Sequence, residues 1–430
     1  MPRILRFLFP AILVVTALIS AGASAATSSI AVLHVDGTIV PVIADYIDRG
    51  LDDAESDEVS VCIIELSTPG GLMDTTQDIV DRILDAKVPV VVYVSRWAGS
   101  AGTFITIAAH VAAMAPASRI GAAHPVAMGT SGEQIPEAME EKITEDAAAW
   151  IRSIAEMRGR NPEYAEMAVR QSKSYSAEEA LEYNLIDIKA DNLPDLIAEL
   201  DGRKVTLSSG EEITIRTAGH IVNPIEMSGI ERILHTISDP NIAYILLSLG
   251  MLGLMAELFN PGMIFPGVAG GISLLLAFYS LGVLDAFWGG IILILLAFGL
   301  FIAEMFTPTF GLLTAGGVVS LTIGSIILFS GRSPLFTVDP WVIAGVVVAV
   351  TVFSALVIYA VVRAHRHQAT TGREGLVGEV AVARTALNPE GTIFLQGELW
   401  KATAEGDKVE AGEEVIVTKV EGLKLTVTKK

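Results

Sequence analysis

The sequence predicts three units in series: an exported α/β domain built from repeated β-α-β units, an all-α polytopic membrane domain, and a small all-β barrel of OB type. Three observations predict them. Residues 28–239 alternate apolar runs with amphipathic stretches, as a parallel sheet with crossover helices requires. Residues 241–362 carry only five charged side chains, Glu257, Asp285, Glu304, Arg332 and Asp339, which places that block in lipid. Residues 372–430 break into short β-branched runs separated by glycines.

Composition bounds the answer. A chain of 430 residues that is 51% hydrophobic, 18% charged and has a mean hydropathy of +0.54 is not one ordinary soluble domain. The formal net charge of −20 argues against a nucleic-acid or anionic-lipid partner. The single cysteine, Cys62, excludes an internal disulfide framework and a cysteine-rich zinc site, and reads as a small buried apolar residue within a strand. Seven scattered histidines show no metal-ligand spacing, so no metal or cofactor is expected.

The elements follow in order. Arg3 and Arg6 precede an apolar run over residues 7–19 and the small residues Ala23 to Ala26, so residues 1–25 read as a signal peptide. The exported domain then covers residues 26–239. Within it, residues 30–35, 59–66 and 88–94 read as strands, and 42–54 and 75–86 as crossover helices with apolar residues at 3.6 spacing. This domain carries 16 Lys and Arg against 35 Asp and Glu, which leaves membrane headgroups as poor partners.

The membrane domain, residues 240–363, reads as five spans: 242–259, 263–284, 287–305, 310–329 and 341–362. It contains a repeat. Ala256-Glu257-Leu258-Phe259-Asn260-Pro261 recurs 47 residues later as Ala303-Glu304-Met305-Phe306-Thr307-Pro308, and Ala269-Gly270-Gly271 recurs as Ala315-Gly316-Gly317. Two spans per unit give both copies one orientation. Glu257 and Glu304, beside prolines at span ends, read as helix terminators rather than a proton path. An odd number of spans carries the tail back to the cytoplasm, in agreement with Arg363, Arg366 and Arg373 just past the last span. The tail, residues 372–430, reads as strands at 376–382, 392–395, 399–402, 414–420 and 423–427. From Arg363 onward it balances ten basic against ten acidic residues, so it reads as an interaction module rather than a nucleic-acid binder.

Two segments of the exported domain can carry chemistry. The strand ending at Leu66 runs through Ser67-Thr68-Pro69-Gly70-Gly71 into a helix, where Gly70 and Gly71 can leave amides pointing outward, as an oxyanion hole requires. The next strand leads through Trp97-Ala98-Gly99-Ser100-Ala101-Gly102 into a helix-like stretch, residues 103–112. This places Ser100 at a helix N-terminus, where the dipole favours developing negative charge, and makes it the candidate nucleophile. Alone, each segment is equally a tight turn or a packed helix start. One strand apart in a β-α-β frame, they point to one site.

The base is open on the residues alone. Lys142 borders an apolar line of Met139, Ile143, Ala147, Trp150, Ile151 and Ile154, but a lysine with a pKa of about 10.4 must be desolvated to accept a proton near neutrality. The plain alternative is a solvated lysine among Glu140, Glu141 and Glu145. His124, in Gly121-Ala122-Ala123-His124-Pro125, needs no such depression but wants an orienting carboxylate, and no local motif supplies one.

The Pro-Gly-Gly strand end, Gly99-Ser100-Ala101-Gly102, Ile120 to Pro125, Tyr175-Ser176-Ala177-Glu178-Glu179-Ala180 and Asn184-Leu185-Ile186-Asp187 resemble the Clp protease/crotonase superfamily. The order of signal, protease-like domain, membrane block and barrel resembles the long-form NfeD family of membrane-bound serine proteases. That resemblance implies a serine–lysine dyad of Ser100 and Lys142, with Gly70 or Gly71 and the Ala101 amide as oxyanion hole. The aspartate of Clp-type triads falls close to Ser172 here and is absent, which leaves His124 an incomplete triad. The resemblance also implies a polypeptide substrate with an apolar segment, a stomatin- or flotillin-like membrane partner and at least a homodimer. Residues 126–136, with Gly129, Thr130, Ser131 and Gly132, read as a mobile loop over the substrate or as a plain linker. The rival readings are a non-proteolytic scaffold for such a partner and a signal-peptide-type peptidase.

Overall fold

The computed structural model describes residues 29–126, 136–260, 262–284, 286–307, 309–329, 337–366 and 373–430. The expected signal peptide and most of the 126–136 loop lie outside the described residues.

The first unit begins with β1 (Ser29–Asp36), α1 (Pro41–Ser56), β2 (Val61–Thr68), α2 (Met73–Leu84), β3 (Val90–Gly99) and α3 (Ala101–Ala108). It continues through β4 (Val111–Met114), β5 (Arg119–Gly121), α4 (Glu137–Met157), α5 (Pro162–Arg170), β6 (Ser174–Ser176), α6 (Ala177–Glu182) and β7 (Ile188–Lys189). Then come α7 (Leu193–Leu200), β8 (Lys204–Thr206), β9 (Glu212–Thr214), β10 (Ile221–Ile225) and α8 (Gly229–Ile237). The strand order β10-β1-β2-β3-β4-β7 is parallel throughout. Both faces are buried, which explains the unbroken apolar strands. On one face Ile30, Val32, Ile63 and Val91 pack with Leu196 and Leu200 of α7. On the other, Leu33 presses so close to Gly50 of α1 that a Cβ there would lie 2.2 Å from its Cδ2.

β3 is longer than the apolar run predicts because it has two partners. Val91–Val94 pair with β4, and Trp97–Gly99 pair with β5, which turns away to meet β6 antiparallel. The helix after Ser100 is correspondingly shorter than expected. It stops at Ala108, where Ala109 turns extended, and Val111 to Met114 join the sheet instead of continuing the helix. The strands expected from Val59 and Val88 start at Val61 and Val90. Of the apolar line on α4, Ala147, Ile151 and Ile154 are buried, but Met139 is 48% exposed, so the first turns of this helix stand clear of the core.

The membrane helices are α9 (Pro240–Phe259), α10 (Phe265–Val283), α11 (Trp288–Phe306), α12 (Leu312–Ile327) and α13 (Pro340–Arg366). Among the described residues four of them, all but α12, are long and apolar enough to cross a membrane. The fourth expected span corresponds to α12, whose 16 residues cover about 24 Å at 1.5 Å per residue, short of a hydrocarbon core of about 30 Å. The repeat is visible in the backbone. Ile264 and Phe310 both adopt left-handed φ, +47° and +53°. Glu257 accepts the Gly262 amide at 3.2 Å and Glu304 accepts the Gly311 amide at 2.8 Å, so each glutamate closes the turn that ends its helix. Each copy packs through glycine: a Cβ on Gly253 would meet Gly270 Cα at 2.9 Å, and one on Gly317 would meet the Phe301 ring at 2.6 Å.

After a single 3₁₀ turn at Arg373–Leu376, the tail forms a closed barrel of β11 (Val380–Ala383), β12 (Glu390–Leu395), β13 (Glu398–Ala404), β14 (Glu414–Glu421) and β15 (Lys424–Lys429), in the order β11-β12-β13-β15-β14. Leu376 belongs to the turn, so the first strand starts later than expected, at Val380. Leu387, Ile393, Val415, Val417, Leu425 and Val427 fill the interior.

Candidate active site

The site is assembled by register. Thr68 of β2 pairs with Ala98 of β3, so Gly70 and Ser100 each lie two residues beyond a matched pair on adjacent parallel strands. Gly70 adopts φ +130°, a conformation open to glycine; its amide donates to Thr68 Oγ1 at 3.0 Å and its carbonyl accepts from Ile39. Gly71 has no room for a side chain, because a Cβ would lie 2.1 Å from the Ile39 carbonyl oxygen. Among the described residues the Gly71 amide has no acceptor.

Ser100 is the N-cap of α3 and sits at φ 48°, ψ −113°, a strained conformation for a residue with a Cβ. The strain is held from both sides. The Ser100 amide donates to the Gly121 carbonyl at 2.9 Å, and the Ser100 carbonyl accepts from Thr103 at 2.9 Å. Thr103 Oγ1 accepts the Gly121 amide at 2.9 Å and lies 3.0 Å from the Ala98 carbonyl, which ties β3, α3 and β5 at one point. Gly102 allows α3 to start this close to β2, since a Cβ there would meet Thr68 Cγ2 at 2.6 Å. Ala101 opens the helix, and among the described residues its amide also lacks an acceptor. Two unengaged amides, Gly71 and Ala101, thus flank a half-buried serine at the positive end of a helix.

The other end of α3 is neutralised by cations. Arg158 Nε donates to the Ala108 carbonyl at 2.7 Å, and Arg160 Nη1 donates to the Ala109 carbonyl at 2.9 Å and to that of Ile107. Arg160 is buried and pairs with Asp187 at 2.7 Å, whose Oδ2 also accepts the Ala112 amide at 2.7 Å. His110 Nδ1 accepts the Val90 amide at 3.2 Å; burial, with Arg158 and Arg160 nearby, pushes this imidazole down to about 3, so it is neutral. Arg160, Arg158 and His110 escaped the sequence reading because no local motif marks them. Asp187 was visible only as the end of Asn184-Leu185-Ile186-Asp187.

The two base candidates are placed differently. Trp150 of α4 stacks on Phe104 of α3 with centroids 4.7 Å apart, which fixes α4 beside the serine helix. Lys142 lies two turns earlier and is exposed, and among the described residues it makes no hydrogen bond or ion pair. His124 Nδ1 donates to the Val169 carbonyl at 3.1 Å and its Nε2 faces Glu140 at 3.6 Å. The structure therefore brings together Gly70, Gly71, Ser100 and Ala101, and joins neither Lys142 nor His124 to the serine by a hydrogen bond. The Val169 carbonyl orients His124 through Nδ1, and the Glu140 carboxylate lies against Nε2.

Comparison with known proteins covers each unit. Residues 29–199 match the NfeD1b N-terminal domain, 241–360 the NfeD integral membrane domain, and 373–429 the NfeD-like C-terminal, partner-binding domain. The chain is 37% identical over 409 residues to membrane-bound protease PH1510 of Pyrococcus horikoshii, covering 93% of this chain and 92% of that one. It is 28% identical over 444 residues to membrane protein NfeD1b of Bacillus subtilis, covering 94% of each. Among solved structures, a lysine-to-alanine mutant of a membrane-bound stomatin-specific protease in complex with a substrate peptide is 32% identical, covers 49% of this chain and 98% of its own, and has a TM-score of 0.46. With relatives matching from the first strand of the α/β domain to the last strand of the barrel, the chain belongs to the NfeD family and is a membrane-bound serine peptidase.

Proposed function

We propose that this peptidase cuts apolar polypeptide segments with a Ser100–Lys142 dyad. Ser100 Oγ attacks the peptide carbonyl carbon while Lys142 takes its proton. The amides of Gly71 and Ala101, with Gly70 shaping the turn, hold the oxyanion, and Lys142 returns the proton to the leaving amine. The observation that carries the reading is Ser100 in strained N-cap geometry between two unengaged amides.

Lys142 supports the reading if the first turns of α4 are covered when substrate or a second copy of the chain arrives, because loss of water favours the neutral amine. His124 makes no hydrogen bond to Ser100: its Nδ1 is taken by the Val169 carbonyl, and its Nε2, the nitrogen left to serve the serine, faces Glu140 instead. We assign the substrate to stomatin- or flotillin-like membrane proteins, with the barrel as the partner-binding module and at least a homodimer as the working form. The α/β domain then lies outside the cytoplasm. The barrel is cytoplasmic provided α12, the counterpart of α10 in the repeat, also crosses, which a short helix does by local thinning of the bilayer.

The test uses the full-length protein in detergent with an apolar peptide library. Wild type should cleave, Ser100→Ala and Lys142→Ala should not, and His124→Ala should retain cleavage. A dead histidine variant with an active lysine variant would overturn the dyad.

A further inference from the structure

The search singles out α8, the helix between the α/β domain and the first membrane helix. Its sequence places Ile230, Ile233, Leu234 and Ile237 on one face at three- and four-residue spacing. The opposite flank is bolted to the α/β domain. Arg49 of α1 grips the Glu231 carboxylate with two bonds of 2.9 and 2.8 Å, and Glu231 also closes a capping box with Ser228. His235, one turn on, packs within 3.4 Å of the position a Cβ on Gly37 would take.

The apolar face has two fates along its length. At its C-terminal end Ile237 is buried, three residues before α9 begins at Pro240, and its carbonyl accepts the Ser280 hydroxyl near the end of α10. Towards the N-terminus the same face emerges, leaving Ile230 72% and Ile233 59% exposed. Tyr279 and Leu275 of α10, the helix that meets Ile237 through Ser280, are exposed as well, and α9 and α10 are both long and apolar enough to cross a membrane.

We infer that α8 is an interfacial helix: it lies on the leaflet next to the α/β domain, with Ile230 and Ile233 among the acyl chains and Glu231 turned up to Arg49. The occupant of the exposed face is the bilayer itself, because α8 ends at Ile237 and the first membrane helix starts at Pro240, while its opposite side is already taken by Arg49 of α1. Peptides with an apolar face and a charged flank settle at this depth, about 5–10 Å into the headgroup boundary. Arg232, exposed on the polar side, can reach the headgroups. Such a seat holds the catalytic domain at a fixed height above the membrane.

Cys62, the sole cysteine, is fully buried and its thiol is pushed up to about 12 by burial, so a new surface thiol can be labelled selectively. Full-length Ile230→Cys, Ile233→Cys and Arg232→Cys proteins carrying an environment-sensitive fluorophore are reconstituted in phosphatidylcholine vesicles with brominated acyl chains. Peptide hydrolysis serves as the check that each is folded. Labels at 230 and 233 should be quenched at least about threefold more than the label at 232. Equal, weak quenching at all three positions overturns the proposal. So does energy transfer between labels on separate copies with no bromolipid quenching, which would mean that a second copy covers the face.

Discussion

The Ser100 amide donates to the Gly121 carbonyl at 2.9 Å, and Gly121 itself is confined to glycine by a left-handed φ of +122° and by the Lys173 carbonyl, 2.2 Å from where its Cβ would stand. The serine is thus strained by a bond to a residue that cannot be anything else. β5 supplies that bond only because β3 abandons β4 at its upper end. The geometry of Ser100 is built from sheet topology rather than from the residues next to the serine.

That strain separates stability from activity. Ser100→Gly and Ser100→Ala should both lose cleavage, by at least about 10³-fold. The glycine variant should nonetheless be more stable than the alanine variant by about 1 kcal/mol, since only glycine adopts this conformation without cost. Urea denaturation of the two proteins side by side checks it; equal midpoints would show that the serine is not strained.

On the proposed mechanism, Gly71→Ala should damage the oxyanion hole through Ile39. The new Cβ collides with a backbone carbonyl, not a flexible side chain, so the turn must move. The expected result is a fall of about 10²–10³ in kcat with little change in KM, and a stability loss of about 1–3 kcal/mol. A KM effect with unchanged kcat would place the role of Gly71 in substrate binding.

Asp187 answers the buried charge of Arg160. Asp187→Ala leaves a guanidinium with a 2% exposed side chain without its carboxylate, which should cost about 3–5 kcal/mol. Asp187→Asn keeps an acceptor for the Ala112 amide and should cost less. Thermal unfolding of the two variants ranks them; a milder alanine variant would contradict the pairing.

Acid stability should report His110. This imidazole is neutral in the fold, with its titration pushed down to about 3, against about 6.5 in the unfolded chain. Between those values the unfolded state binds a proton that the folded state refuses, so stability is lost as pH falls below about 6.5, at about 1.4 kcal/mol per unit. Glu231, held down to about 2 chiefly by its bond to Arg49, adds its own loss only as pH falls below about 4.5. Between about 6.5 and 4.5 the loss is therefore carried by His110 together with His235, whose imidazole burial also pushes down, and substitution of His110 separates the two. His110→Asn, whose Oδ1 can accept the Val90 amide in place of Nδ1, should flatten the stability curve there, as measured by denaturation at a series of pH values.

The three units, their order, and the Gly70-Gly71 and Ser100 segments were legible in the residues, because each rests on local physics. Apolar alternation marks buried strands, a charge-free block marks lipid, and glycine after a strand marks a tight turn with free amides. The Glu257 and Glu304 repeat was legible for the same reason: each glutamate stands four residues ahead of a proline, which a helix interior does not tolerate. Tertiary structure alone decided the rest. The two-partner path of β3, the end of α3 at Ala108, the exposure of Met139 and Lys142, and the Arg160–Asp187 clamp all depend on contacts between segments far apart in the chain. The apolar pattern of α4 is uniform along its length, yet only the part that meets Phe104 is packed. Periodicity says which face of a helix is apolar; whether another element reaches that face is settled by topology, which local sequence does not encode.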